Sequence, residues 1–214
     1  MPDPFPPSLR RALDASRRGE FVALLDKADR EAEADLLLAG EHATGERVNE
    51  MITIARGLLT VVMTRERLAE LRIGLIEPEF SMPHAPVFAV PVDYRHGTTT
   101  GASAHDRAAT IRALTDPRAT PEDFARPGHV FPLAVSSGGL AERQGHTEGA
   151  AALALLAGLQ PVVAMCEIMS PDGHMARGRK LRLWLREHAM ATASVPQLVR
   201  ALGLARGGRE GPLP

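Results

Sequence analysis

The chain has 214 residues, 44% hydrophobic and 24% charged, with a formal net charge of −1. That length supports one sizeable core, and the near-neutral charge gives no electrostatic case for nucleic acid or an anionic membrane. One tryptophan and one tyrosine leave little for stacking on bases, and the single cysteine, Cys166, excludes an intrachain disulfide framework and suits a reducing, cytoplasmic setting.

In chain order, residues 1–7 hold four prolines and read as an irregular tail, with no apolar segment of the secretory kind among the first 20 residues. Leu9 and Leu13 at i, i+4 predict a short amphipathic helix over Ser8–Arg18. Phe21–Leu25 is a strand candidate. Thr44 caps a helix predicted to run to Arg56 on Val48, Met51, Ile52 and Ala55. Leu58–Met63 reads as a strand and Thr64–Leu71 as a helix. Val87–Asp93 is a strand pushed towards an edge or bulge by Pro91. Ser103 opens a helix with a capping box, and Thr120-Pro121 opens another.

His129–Val135 and Pro161–Met169 are strand candidates. Thr147–Leu156 reads as a helix whose small residues imply close approach to another element or to a subunit. Lys180–Met190 and Ser194–Leu202 are the last helices, and the Gly-, Arg- and Pro-rich end from Ala205 reads as disordered. The longest apolar tract, Gly149–Met165, is too short and too broken by Gln160-Pro161 to span a bilayer. No repeat or dividing linker is present, so the pattern predicts one compact domain of α/β or α+β class.

Four polar clusters interrupt this framework. Asp26–Asp35 places five carboxylates between two apolar runs. Clustered acids repel unless a cation or hydrogen-bond donors hold them, so the stretch is either a cation site or a solvated helix face with Glu31/Asp35 at i, i+4. Arg95–Ser103 runs hydroxyls and glycines into a helix start, which suits either anion binding or ordinary capping. Two glycine–histidine corners follow, around His129 and at Arg143-Gln144-Gly145-His146-Thr147, where arginine, histidine and threonine suit a phosphate or a metal. Glu167 ends an apolar strand, where a charge is costly unless paired. It is a candidate acid or base, or one half of a buried salt bridge. Cys166 lies in an apolar run with nothing nearby to lower its pKa, so it is not read as a nucleophile.

Five motifs occur in one order: Asp29-Arg30-Glu31-x-Glu33-x-Asp35, Arg95–Arg107, Pro127–Leu133, Arg143–Glu148 and Cys166–Arg177. Together they resemble 3,4-dihydroxy-2-butanone 4-phosphate synthase, from about Ser8 to Leu202. The resemblance implies an α+β (mixed α/β) fold, with a mixed sheet flanked by helices in a domain over 8–203, between flexible tails at 1–7 and 204–214. It implies conversion of ribulose 5-phosphate, a small-molecule sugar phosphate, to 3,4-dihydroxy-2-butanone 4-phosphate and formate. Mg²⁺ is implied, with Mn²⁺ an alternative and two ions per site, in a cytoplasmic homodimer whose sites lie near the interface. Nucleic-acid and membrane partners are not implied, nor is a following GTP cyclohydrolase II half.

By the matching motifs, Glu31 and His146 are metal ligands, and His129, Glu167 and Asp35 are catalytic. Arg30, Glu31, Asp35, Arg143, Gln144, Gly145, His146, Thr147 and Glu167 bind substrate. The chain departs from the family pattern at Lys27, Ala28, Ala32 and Ala34, and at Thr53, Arg56, Thr60, Pro171 and His174. Ala34 replaces a glycine, which predicts a position wanting backbone freedom. These departures keep two other readings open: a paralogue acting on another sugar phosphate, and a non-catalytic sugar-phosphate-binding protein.

Overall fold

The computed structural model describes residues 5–27, 32–77 and 85–204. Its centre is a mixed sheet ordered β4-β6-β3-β7-β2-β1-β8, with β5 paired to β6. The strands are β1 (Val22–Leu25), β2 (Ala34–Ala39), β3 (Thr60–Met63), β4 (Val87–Phe88), β5 (Val92–Tyr94), β6 (Phe124–Ala134), β7 (Val163–Glu167) and β8 (Ala191–Ser194). The helices are α1 (Pro7–Arg17), α2 (Gly45–Ala55), α3 (Arg65–Glu70), α4 (Ala104–Thr115), α5 (Gly139–Glu142), α6 (His146–Leu156), α7 (Gly178–Glu187) and α8 (Val195–Ala201). The expected mixed sheet flanked by helices is present.

Side chains alternate across a strand, so each strand feeds two cores. Ala34, Leu36 and Leu38 of β2 join residues of α2, α4 and α7 on one face, whereas Leu37 joins those of α1, α6 and α8 on the other. The second face is where α6 comes close. A Cβ on Gly149 would lie 2.9 Å from Leu24 Cδ2, so the small residues of α6 are what let the helix settle onto β1. Caps fall where the sequence places them: Thr44 accepts from Arg47 N at 3.2 Å, and Ser194 with Gln197 forms a capping box.

Several expectations need correction. The Ala34–Ala39 run is a fully buried strand, and Asp35 on it cannot share a helix face with Glu31. Thr120-Pro121 opens only a single 3₁₀ turn, Pro121–Asp123. The strand expected over His129–Val135 begins at Phe124, because β5 and β6 shift register sharply. Val92 pairs with Val130 while Asp93 pairs with Ala125, so residues 126–129 bulge out and accommodate Pro127. Ala34 has ordinary strand geometry, and the left-handed residue is Ala32, with φ of 54°. The segment from Ala205 lies outside the described residues.

Candidate active site

Strand register brings the first two site residues together. Asp35 of β2 is the direct antiparallel partner of Glu167 of β7. Both side chains leave the sheet on the face covered by α6, since Asp35 alternates with Leu36 and Glu167 with Cys166, which belong to the other core. Directly opposed like charges destabilise a strand pair, so this rung is made for something positive. Asp35 is buried. Glu167 Oε2 accepts from Leu58 N at 2.8 Å, and no arginine among the described residues pairs with it. Gly57 makes that contact possible, because a Cβ there would overlap the carbonyl oxygen and Oε2 of Glu167.

Helix α6 supplies the third group. Its first intrahelical bond runs from Gly149 N to Gly145 O at 2.9 Å, so the N–H groups of His146, Thr147 and Glu148 point beyond the helix end. His146 at this end and Asp35 on the sheet are 3.7 Å apart, Nδ1 to Oδ2, with only 8% and 6% of their side chains exposed. The distance is an ion-pair separation rather than a hydrogen bond. Thr147 is buried beside them.

Arg143 is expected at the phosphate. Its guanidinium Nη1 lies 2.7 Å from Oε2 of Glu148, which is 1% exposed. Oε1 of Glu148 in turn accepts from Ser136 N at 3.2 Å and Ser136 Oγ at 3.1 Å. A Cβ on Gly145 would press into the same guanidinium, so the glycine seats it. Gln144 accepts from Lys27 Nζ, which ties the α6 corner to the start of the acidic stretch. The far end of that stretch is tied down by Glu33, which pairs with Arg177. Arg30 and Glu31 themselves lie outside the described residues.

His129 lies two residues before Phe131, which pairs with Thr60, just as Leu58 lies two before Thr60. The paired part of β3 and β6 starts at Thr60 and Phe131, so His129 sits just before it, in the bulge of β6. The His129 imidazole is not beside His146. It faces Asp93, with Nδ1 2.7 Å from Oδ2, and the His129 N–H donates to Oδ1 at 2.8 Å.

The threonine-rich loop before α4 resolves in favour of capping. Thr99 N and Gly101 N donate to the Asp106 carboxylate at 3.1 Å each, and Thr99 Oγ1 donates at 2.7 Å. The Thr99 hydroxyl bond, with burial opposing and the two backbone donors adding, holds the Asp106 pKa below the usual aspartate value. Burial, with Glu167 adding, pushes the Cys166 thiol up to about 12, in keeping with its reading as inert. The departure at Thr60 is absorbed by a bond from its Oγ1 to Met165 O at 3.2 Å.

Three residues were not singled out from sequence. Glu148 follows the histidine corner with no role of its own in the sequence, and Lys27 figures there only as a departure from the family pattern. Asp93 ends an apolar strand, the same signal that picks out Glu167, and applying that signal evenly would have found it.

The family model for 3,4-dihydroxy-2-butanone 4-phosphate synthase matches residues 10–201. The chain is 42% identical over 191 residues to the 3,4-dihydroxy-2-butanone 4-phosphate synthase of Chromobacterium violaceum, covering 89% of this chain and 91% of that protein. It is 42% identical over 195 residues to riboflavin biosynthesis protein RibBA of Aquifex aeolicus, covering 90% of this chain but only 48% of that protein. Among solved structures, a 3,4-dihydroxy-2-butanone 4-phosphate synthase in complex with two magnesium ions superposes with a TM-score of 0.85 at 35% identity, covering 94% and 99% of the two chains. The Candida albicans synthase superposes with a TM-score of 0.83 at 37% identity, over 92% and 98%. The chain belongs to the 3,4-dihydroxy-2-butanone 4-phosphate synthase family.

Proposed function

We propose that this chain converts D-ribulose 5-phosphate to 3,4-dihydroxy-2-butanone 4-phosphate and formate, in riboflavin biosynthesis. The observation that carries the reading is the Asp35–Glu167 rung facing the buried His146 at the start of α6. Two opposed carboxylates and an imidazole on one face suit a divalent cation. Among the described residues no three His, Cys, Asp or Glu side chains converge on a metal-sized point. A hard ion such as Mg²⁺ accepts few protein ligands and keeps its waters, so Glu31 and His146 suffice as the ligands the family motif implies. Mn²⁺ has the same ligand tastes, and two ions per site are part of the proposal. Bound Mg²⁺ supplies Lewis-acid polarisation of adjacent sugar oxygens.

The chain's own groups do the rest. The N–H groups at the start of α6 and the Thr147 hydroxyl receive the phosphate, beside Arg143, Gln144 and Gly145. Arg30 and Asp35 orient the sugar. The reaction needs several proton transfers, and Asp35, Glu167 and His129 are the groups that make them. We place the enzyme in the cytoplasm as a homodimer, in which a second copy covers exposed Leu58 next to Glu167. Lys27, bonded to Gln144, favours one alternative, a paralogue taking a different sugar phosphate.

The test is formate release with Mg²⁺ across a panel of pentulose and hexulose phosphates. Release from ribulose 5-phosphate above all others is expected. Preference for another sugar supports the paralogue, and no turnover of any, where a family member is active, leaves a binding protein.

A further inference from the structure

We propose that a cavity behind the Arg143 corner is a second binding site, for a carboxylate carried on an apolar body. The cavity has a volume of about 460 Å³, within the range of small-molecule sites. Its place follows from the sheet. β3 and β6 run parallel side by side, with Met63 opposite Ala134, so the chain leaves both strands at the same end. Val135 N donates to Met63 O at 2.9 Å and holds the two exits together. Arg65, Ser136 and Ser137, just past those exits, supply polar groups to the cavity wall. Leu140 of α5, Leu155 of α6 and Leu202 at the end of α8 supply its apolar part.

Two observations specify the ligand. Arg65 Nε is buried without a hydrogen-bond partner, and the side chain makes no ion pair among the described residues. A buried donor without an acceptor is costly, and an anion in the cavity supplies the acceptor. The leucines are as incomplete as the arginine, since Leu155 is 60% exposed and Leu202 37%. An alkyl or aryl body covers them and gains the free energy of apolar burial. Inorganic phosphate meets the arginine and leaves the leucines wet, and a neutral hydrocarbon does the reverse. The carboxylates in the wall do not oppose an anion. Glu148 is spent on Arg143 and Ser136, and Glu66 is exposed, where water and salt screen it.

Ser136 links the cavity to the phosphate corner. Its N–H and hydroxyl both donate to Oε1 of Glu148, whose Oε2 lies 2.7 Å from Arg143 Nη1. A carboxylate held by Arg65 beside Ser136 draws the hydroxyl away, loosens Glu148 and unseats Arg143. The filled cavity therefore weakens binding of a sugar phosphate. This coupling rests on the reading of Arg143 as a phosphate ligand, whereas the cavity and its ligand do not.

The test is titration calorimetry of the full-length protein with octanoate and with octan-1-ol, which share an apolar chain and differ in charge. Octanoate should bind, and the alcohol about tenfold more weakly. Arg65→Gln should weaken octanoate about tenfold and leave the alcohol unchanged. Formate release then reads the coupling. Saturating octanoate should raise KM for ribulose 5-phosphate about fivefold or more, with kcat changed by no more than about twofold. Arg65→Gln should abolish that rise while keeping the wild-type KM without octanoate. No octanoate binding, or equal binding of acid and alcohol by the wild type, overturns the site, and neither result needs a variant to fold. So does dissociation of a dimer by Leu155→Gln, which makes this face a contact between copies. Inhibition that survives Arg65→Gln puts the acid in the active site and overturns it too. Binding that needs Arg65 but leaves KM unchanged removes the coupling alone. Absence of all turnover removes the proposed function, and the calorimetry then judges the site by itself.

Discussion

The two histidine corners are built in opposite ways. His146 is buried at a helix start, 3.7 Å from a buried aspartate on the next layer, and its surroundings are fixed by secondary structure. His129 is half exposed on a strand bulge, gripped by hydrogen bonds to a single carboxylate. A buried imidazole beside carboxylates suits holding a cation. An exposed imidazole with one nitrogen committed suits moving protons. The difference teaches that the two motifs are built by two kinds of engineering: a rigid, desolvated corner and an open, locally braced one.

The sharpest way to break the comparison is to attack the brace of the buried corner. Glu148→Gln leaves the Arg143 guanidinium and Ser136 facing a neutral amide inside the protein. It should cost about 3 kcal/mol in urea unfolding. A loss below about 0.5 kcal/mol would mean that the corner is not stabilised by that pair. Next in size is Gly57→Ala, whose Cβ has to push Glu167 aside. Overpacking of this kind should cost about 1–3 kcal/mol, and formate release should fall as Glu167 leaves its bond to Leu58 N. Wild-type turnover in this variant would remove Glu167 from the chemistry.

The smallest effect concerns the open corner's outer support. The Asp106 pKa is lowered in the fold, chiefly by the Thr99 hydroxyl. A lowered carboxyl pKa means stability that is complete above the unfolded value, about 4, and is lost as pH falls through the folded value. Asp106→Asn should therefore flatten the acid limb of the Tm-against-pH curve below about pH 4 and be less stable than wild type above it. An unchanged acid limb would show that the loop is held by other groups.

Much of this was legible in the residues because the signals were local. Helix caps at Thr44 and Ser194, the apolar spacing of α1 and the small-residue face of α6 all act within a few positions. The motif order disclosed the family. What the residues hid was long-range register. Asp35 and Glu167 are 132 positions apart and meet only because β2 and β7 pair in antiparallel register. Local reasoning instead left a cation site and a helix face shared by Glu31 and Asp35 as alternatives, and the second is excluded by the strand. The bulge at 126–129 was hidden for the same reason, since it exists only against β5. Backbone freedom was expected at Ala34 on the strength of a glycine in relatives, but the left-handed turn falls two residues earlier, at Ala32. Lys27 stands out in the sequence only as a departure from the family pattern, and its bond to Gln144 is to a partner that no local pattern could supply.

The most direct test of the division of labour is Mg²⁺ titration calorimetry on the wild type, His146→Ala and His129→Gln, each paired with formate release. Both variants should lose turnover, yet Mg²⁺ binding should disappear only in His146→Ala and persist in His129→Gln. Equal loss of Mg²⁺ binding in both, or its retention in His146→Ala, would contradict the account.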